Sequence, residues 1–151
     1  MSQMPTRVST SDILANARIG LWTIEIEECM RPKMYADVTM WELLGIDGTK
    51  AMDPEDVYSA WYDHIHPDHY HVVLDGVDKM VLGKHAEIEY PWIHPKWGEI
   101  YVRCGGVRDM EYTEGIRISG SHQNVTEIMS LKRQVEEAKE REQREREILL
   151  A

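Results

Sequence analysis

Ser119-Gly120-Ser121-His122-Gln123-Asn124-Val125-Thr126-Glu127 joins two stretches of different periodicity. Upstream of it and into it, Ile116, Ile118 and Gly120 alternate with Arg117, Ser119 and Ser121, the two-residue period of a strand with one buried face. Downstream, Ile128, Leu131, Val135, Ala138, Glu142, Glu145 and Leu149 fall at alternating three- and four-residue steps, a helical seam that repeats every seven. A strand is therefore predicted to feed straight into a long helix. Asn124 or Thr126 can cap that helix, because a short side-chain oxygen accepts a bond from an otherwise unpaired N–H of the first turn. Whatever moves the strand should move the helix.

The seam is apolar at Ile128, Leu131, Val135 and Ala138, is interrupted by Glu142 and Glu145, and resumes at Ile148, Leu149 and Leu150. Two readings follow. One is a solvated charged helix held by neighbouring Glu–Lys and Glu–Arg pairs. The other is a parallel dimer connector that leads to an output domain. The apolar ending Ile148-Leu149-Leu150-Ala151 favours the second, with this chain as the front piece of a longer protein.

At 151 residues the chain accommodates one domain plus an extension. A net charge of −10 argues against a nucleic-acid or anionic-membrane surface, where clustered Lys and Arg would be needed to release counterions. No run of about 18 apolar residues offers a membrane span, and Met1 to Thr10 lacks the apolar core of a signal peptide. A cytoplasmic location is expected. Cys29 and Cys104 stand far apart without a Cys-x-x-Cys pair, so both are expected to be free thiols. Phe is absent, against five Trp, seven Tyr and nine Met. A core of Trp, Tyr, Met and aliphatics suits a cavity, since Met fills irregular space and buried Trp and Tyr need polar partners.

Along the chain, Ser9, Thr10 or Ser11 caps a short helix over 12–17, and Leu21 to Glu27 reads as a strand. Ala36 to Gly45 holds a strand's end and a short helix carrying Trp41, Leu43 and Leu44. Asp53-Pro54 opens another helix, with Val57, Tyr58 and Trp61 inward. Tyr70, Val73, Leu74, Val77, Met80 and Val81 mark the clearest amphipathic helix, stopped by Gly83. Ile88, Tyr90 and Trp92 share one strand face, and Ile100, Val102 and Cys104 share the next, across a Pro95-Lys96-Trp97-Gly98 turn. Gly105-Gly106 is expected to allow a bulge or sharp bend. Helices grouped between strands predict an α+β fold rather than a doubly wound sheet.

In that order the residues resemble a PAS domain of the variety with a C-terminal PAC motif. The resemblance is carried by Leu21-Trp22, by Trp61 before Ile65-His66-Pro67-Asp68, by Glu89-Tyr90 followed by Gly98-Glu99, and by Arg117-Ile118-Ser119-Gly120 leading to Asn124-Val125-Thr126-Glu127. The family's usual Asp before the Val-Thr pair is Asn124, its usual Arg after Glu-Tyr is Pro91, and its usual Trp on the next strand is Val102. The resemblance implies a five-stranded antiparallel sheet with short helices on one face, an N-terminal helix and a long C-terminal helix. It divides the chain into an N-terminal flank over 1–18, a PAS domain over 19–126 and a signalling helix or coiled-coil connector over 127–151. It further implies a sensor working as a homodimer, through Asn124, Val125, Thr126 and Glu127, on a histidine kinase or diguanylate cyclase output. The PAS fragment itself is expected not to be an enzyme.

Trp22, Trp41, Tyr58, Trp61, Tyr70, Val73, Tyr90, Trp92, Val102, Cys104 and Ile118 are candidates to line a ligand cavity under the sheet, most of them equally explained as plain core. His64, His66, His69 and His71 lie within eight positions, but helical geometry sends His69 and His71 in different directions, so a metal site is not expected. Haem held noncovalently is the cofactor alternative, since some relatives ligate it from a histidine on the long helix, where His69 or His71 stands. No cofactor is required by the sequence, and a ligand-free dimerisation module remains the competing class. Glu25/Glu27, Glu87/Glu89 and Asp53/Glu55/Asp56 are the acidic groups that an acid–base dyad could use, but Glu87 and Glu89 face opposite Ile88 and Tyr90 and read as the solvent side, and no nucleophile motif or phosphate loop is present.

Overall fold

The Ser9 hydroxyl accepts the Asp12 N–H at 3.1 Å and so starts the first helix, α1, at Thr10–Asn16. The computed structural model describes residues 9–150; Ala151 and 1–8, part of the expected N-terminal flank, lie outside the described residues. After α1 come β1 (Gly20–Ile26), β2 (Lys33–Ala36), α2 (Val38–Leu44), α3 (Pro54–Tyr62), a 3₁₀ turn (Pro67–His69), α4 (Tyr70–Val81), β3 (Ala86–His94), β4 (Gly98–Arg108), β5 (Ile116–Asn124) and α5 (Thr126–Leu150). Asp37 caps α2 by accepting the Met40 N–H at 2.8 Å, and Gly45 ends it in the left-handed conformation, φ 71°.

The five strands form one antiparallel sheet in the order β2-β1-β5-β4-β3. The first strand and the last thus lie side by side within it. They pair from Gly20↔His122 to Ile26↔Ile116, so the segment that ends the sheet is held along most of its length by the segment that begins it. This is the α+β, five-stranded architecture expected from the sequence, with α2, α3 and α4 on the buried face of the sheet.

The expected bulge at Gly105-Gly106 does not occur. β4 keeps unbroken register with β5, from Val102↔Asn124 to Arg108↔Ile118, and with β3, from Ala86↔Gly106 to His94↔Gly98. The glycines serve close packing instead. A Cβ on Gly106 would stand 2.7 Å from Trp22 Cη2, and one on Gly120 would stand 2.6 Å from Trp22 Cζ2 and run into the Gly105 carbonyl. The paired glycines are the floor on which the Trp22 indole lies.

The core answers the lack of Phe with indoles whose N–H groups are paired. Trp61 Nε1–H donates to the Tyr90 hydroxyl at 2.9 Å, Trp92 Nε1–H to the Trp61 carbonyl at 2.8 Å, and Trp22 Nε1–H to the Ser121 carbonyl at 3.1 Å. Each large side chain buried in this way stabilises the fold by about 1.5–3 kcal/mol. His94, also buried, closes the β3–β4 turn: its Nδ1 accepts the Lys96 and Trp97 N–H groups at 3.0 and 3.1 Å, and its Nε2–H donates to the Glu42 carbonyl at 3.2 Å. Trp97 stacks on its ring at 3.8 Å. On the opposite face of the sheet Glu87 and Glu89 both meet Arg103, at 3.2 and 2.7 Å, which is the structural role of that acidic pair.

Candidate functional site: a buried cavity and the strand–helix joint

Between the sheet and helices α2, α3 and α4 lies a cavity of about 50 Å³. The two-residue alternation of β1 and β5 turns Trp22, Ile24, Ile118 and His122 toward it, the helical spacing of α3 and α4 turns Tyr58, Trp61, Tyr70, Val73 and Met80, and β4 contributes Cys104. Of the residues proposed from sequence, Trp22, Tyr58, Trp61, Tyr70, Val73, Cys104 and Ile118 border this space. Tyr90, Trp92 and Val102 are fully buried but packed outside its lining. Trp41, on α2, lies outside the lining too, and its indole Nε1 is buried without a partner.

The structure adds residues that sequence reasoning passed over: Met34, Met40 and Met80 on the apolar wall, and above all His122. His122 is 1% exposed, and both its ring nitrogens lack a hydrogen-bond partner. It stands opposite Cys104 in the β4–β5 register. Burial holds the imidazole down at about 4 and pushes the Cys104 thiol up to about 12, so both are uncharged at neutral pH. Tyr90, nearby, is also raised well above the ordinary phenol range by burial. Among the described residues no Asp, Glu, Lys or Arg side chain borders the cavity. It is a largely apolar space whose fully buried unpaired polar group is the His122 imidazole.

None of the helix-start histidines borders the cavity, and His69 Nδ1 is itself buried without a partner. His64 Nδ1–H donates to the Ala60 carbonyl at 2.7 Å, His66 Nδ1 accepts the Asp68 N–H at 3.2 Å, and the His69 ring packs edge-on against His66. His71 is exposed, and neither His69 nor His71 borders the cavity. Among the described residues no group of three or more His, Cys, Asp or Glu side chains converges as a metal site would require. Haem ligated from His69 or His71 does not fit this arrangement: neither histidine reaches the cavity, and the space is several-fold below the roughly 300 Å³ at which cofactor pockets begin.

The strand–helix joint is built on Tyr101 of β4. The Val125 N–H donates to the Tyr101 carbonyl at 2.8 Å, and the Tyr101 N–H donates to Thr126 Oγ1 at 2.8 Å. Asn124 Oδ1 accepts both the Thr126 N–H at 3.1 Å and the Thr126 hydroxyl at 2.6 Å. Val125 is completely buried. Glu127 stands in the first turn of α5, where the positive end of the helix dipole favours a carboxylate. Beyond it the seam is uncovered: Ile128, Leu131 and Val135 are 43%, 55% and 53% exposed, and Ala138 is exposed. No described helix is long and apolar enough to cross a membrane.

No family model matches the chain, and no curated protein matches it. Solved structures do. A sensory box histidine kinase/response regulator from Burkholderia thailandensis superposes with a TM-score of 0.69 at 17% identity, over 89% of this chain and 97% of that one. The N-terminal domain of a diguanylate cyclase with PAS/PAC sensor from Marinobacter aquaeolei gives 0.54 at 19% identity, over 72% and 95%. The PAS-B domain of Cycle from Drosophila melanogaster, in a form with bound glycerol, gives 0.52 at 10% identity, over 70% and 98%. At these identities the likeness is one of fold.

Proposed function

We propose that this chain, whose fold is that of a PAS domain, is a sensory module that passes a ligand or partner signal through α5 to an output domain of the histidine kinase or diguanylate cyclase type. In this reading 19–126 is the sensor and 127–151 the connector, working in the cytoplasm as a homodimer and not itself catalytic. The observation that carries it is continuity. His122 borders the cavity and Thr126 begins α5, with only Gln123, Asn124 and the buried Val125 between them. A displacement of β5 at the cavity has no slack in which to dissipate before it reaches the helix.

The exposed Ile128, Leu131, Val135 and Ala138 supply the seam of a parallel pair, where burial of each large aliphatic would contribute about 1.5–3 kcal/mol. A signal shifts the pairing only as far as its affinities for two arrangements differ, and a tenfold difference corresponds to about 1.4 kcal/mol. Val135→Pro, made in the protein with its output domain, breaks the helix within the seam. Output activity should stop responding to the signal while the sensor's near-ultraviolet circular dichroism stays unchanged. A signal response retained at wild-type amplitude would refute transmission through α5.

The small size of the cavity favours one second reading, a ligand-free module that only dimerises through the sheet and α5. Strong self-association with no change in helix pairing under any input would select it.

A further inference from the structure

Among the described residues with buried unpaired polar atoms, His122 is the one that borders the cavity. Buried polar atoms are almost always paired, and here both nitrogens of one ring are orphaned at the edge of a void. The indole N–H groups of the wall are already committed: Trp22 and Trp61 donate to Ser121 and Tyr90. Cys104 offers only a weak thiol. The other hydroxyls of the wall, on Tyr58, Tyr62 and Tyr70, belong to half-buried side chains, and the remaining lining is aliphatic side chains and methionines. A molecule with one polar end and an apolar body matches this wall.

Charge and size narrow the occupant further. With no Asp, Glu, Lys or Arg among the described residues of the wall, a charged ligand would go uncompensated in a low-dielectric space. A water-sized position takes roughly 10–15 Å³, so about 50 Å³ corresponds to roughly three to five non-hydrogen atoms. A hydroxyl both donates and accepts, and so can pair with the ring nitrogen that faces it in either tautomer of a neutral imidazole. The way in lies between α3 and α4, where the half-buried Tyr58, Tyr62 and Tyr70 border the cavity and Leu74 is 47% exposed.

We infer that His122 anchors a small uncharged molecule with a hydroxyl end and an apolar body, admitted between α3 and α4. The inference rests on the sensory reading, whose ligand class it names. His122 then serves as contact and lever at once, since it belongs to the strand that becomes α5.

The test compares three probes of five non-hydrogen atoms each: butan-1-ol, 1-fluorobutane, which keeps the shape without the hydroxyl, and propionate, which adds a charge. Binding is followed in the chain labelled with ¹⁵N-histidine. Butan-1-ol should bind about tenfold more tightly than 1-fluorobutane and move the His122 ring nitrogens, and propionate should not bind. In His122→Leu the two uncharged probes should bind within about twofold of each other. Equal binding of the two in the wild type, butan-1-ol binding without movement of the His122 nitrogens, or a preference that survives His122→Leu would each overturn the assignment. The wild-type arm decides even where the variant fails to fold. Output activity with and without butan-1-ol separates the two claims: bound butan-1-ol with unchanged output keeps the site and counts against the sensory reading alone.

Discussion

His122 and His94 share a face of the sheet and are both buried, but they differ in their hydrogen bonds. His94 is fully used, accepting two backbone N–H groups and donating to the Glu42 carbonyl. Removing it by His94→Ala orphans the Lys96 and Trp97 N–H groups and should cost about 2–4 kcal/mol in urea denaturation. His122 has no partner, so His122→Leu should raise stability at pH 7 by about 1–2 kcal/mol, as expected where a polar group is kept for binding rather than for the fold. Burial lowers both imidazoles below their ordinary 6.5. Below that pH the unfolded chain takes up protons that the folded chain refuses, so stability is complete above about 6.5 and falls with pH, His122's share being exhausted near 4. Denaturation midpoints between pH 7.5 and 4.5 should follow that slope, and His122→Leu should flatten it by an amount on the order of 3 kcal/mol. The sequence did carry a sign of His122. Ile116, Ile118, Gly120 and His122 are one unbroken inward alternation, and extending the strand by one step past Gly120 places the imidazole inside.

At the scale of elements, periodicity made the chain readable. Strand and helix types, the Ser9 cap, the Gly45 stop and the strand-to-helix joint follow from local chemistry that the residues state directly. Gly105-Gly106 was not legible in this way. A glycine pair in a strand signals either a bend or a close approach, and only the position of Trp22, distant in sequence, decides between them. Gly106→Ala should therefore displace the indole, weaken its bond to Ser121 and cost about 1–3 kcal/mol, visible in tryptophan fluorescence and in the denaturation midpoint. At the joint, Asn124→Ala removes the oxygen that holds Thr126 and should cost about 1 kcal/mol, with faster amide exchange confined to the first turn of α5. Asn124→Asp keeps the bond and adds a charge at the positive helix end, which should gain roughly 0.3–1 kcal/mol at low salt.

At the scale of the molecule, the first strand clamps the last, the last borders the cavity, and the same segment leaves as a helix whose apolar seam finds no cover among the described residues. Which apolar residues border a void and which merely pack was beyond the sequence, because Tyr90 and Cys104 carry the same pattern and differ only in what stands opposite. The central claim is that the cavity sets the geometry of α5. Ile118→Phe pushes extra volume into the cavity from β5 itself and stands in for an occupant. The direct measurement is electron–electron distance spectroscopy across the proposed helix pair, on the chain spin-labelled at Glu140→Cys with the exposed Cys29 changed to Ser, recorded with and without Ile118→Phe in otherwise identical protein. A shifted distance distribution in the folded Ile118→Phe variant is the predicted result; superimposable distributions from two folded proteins would contradict the account.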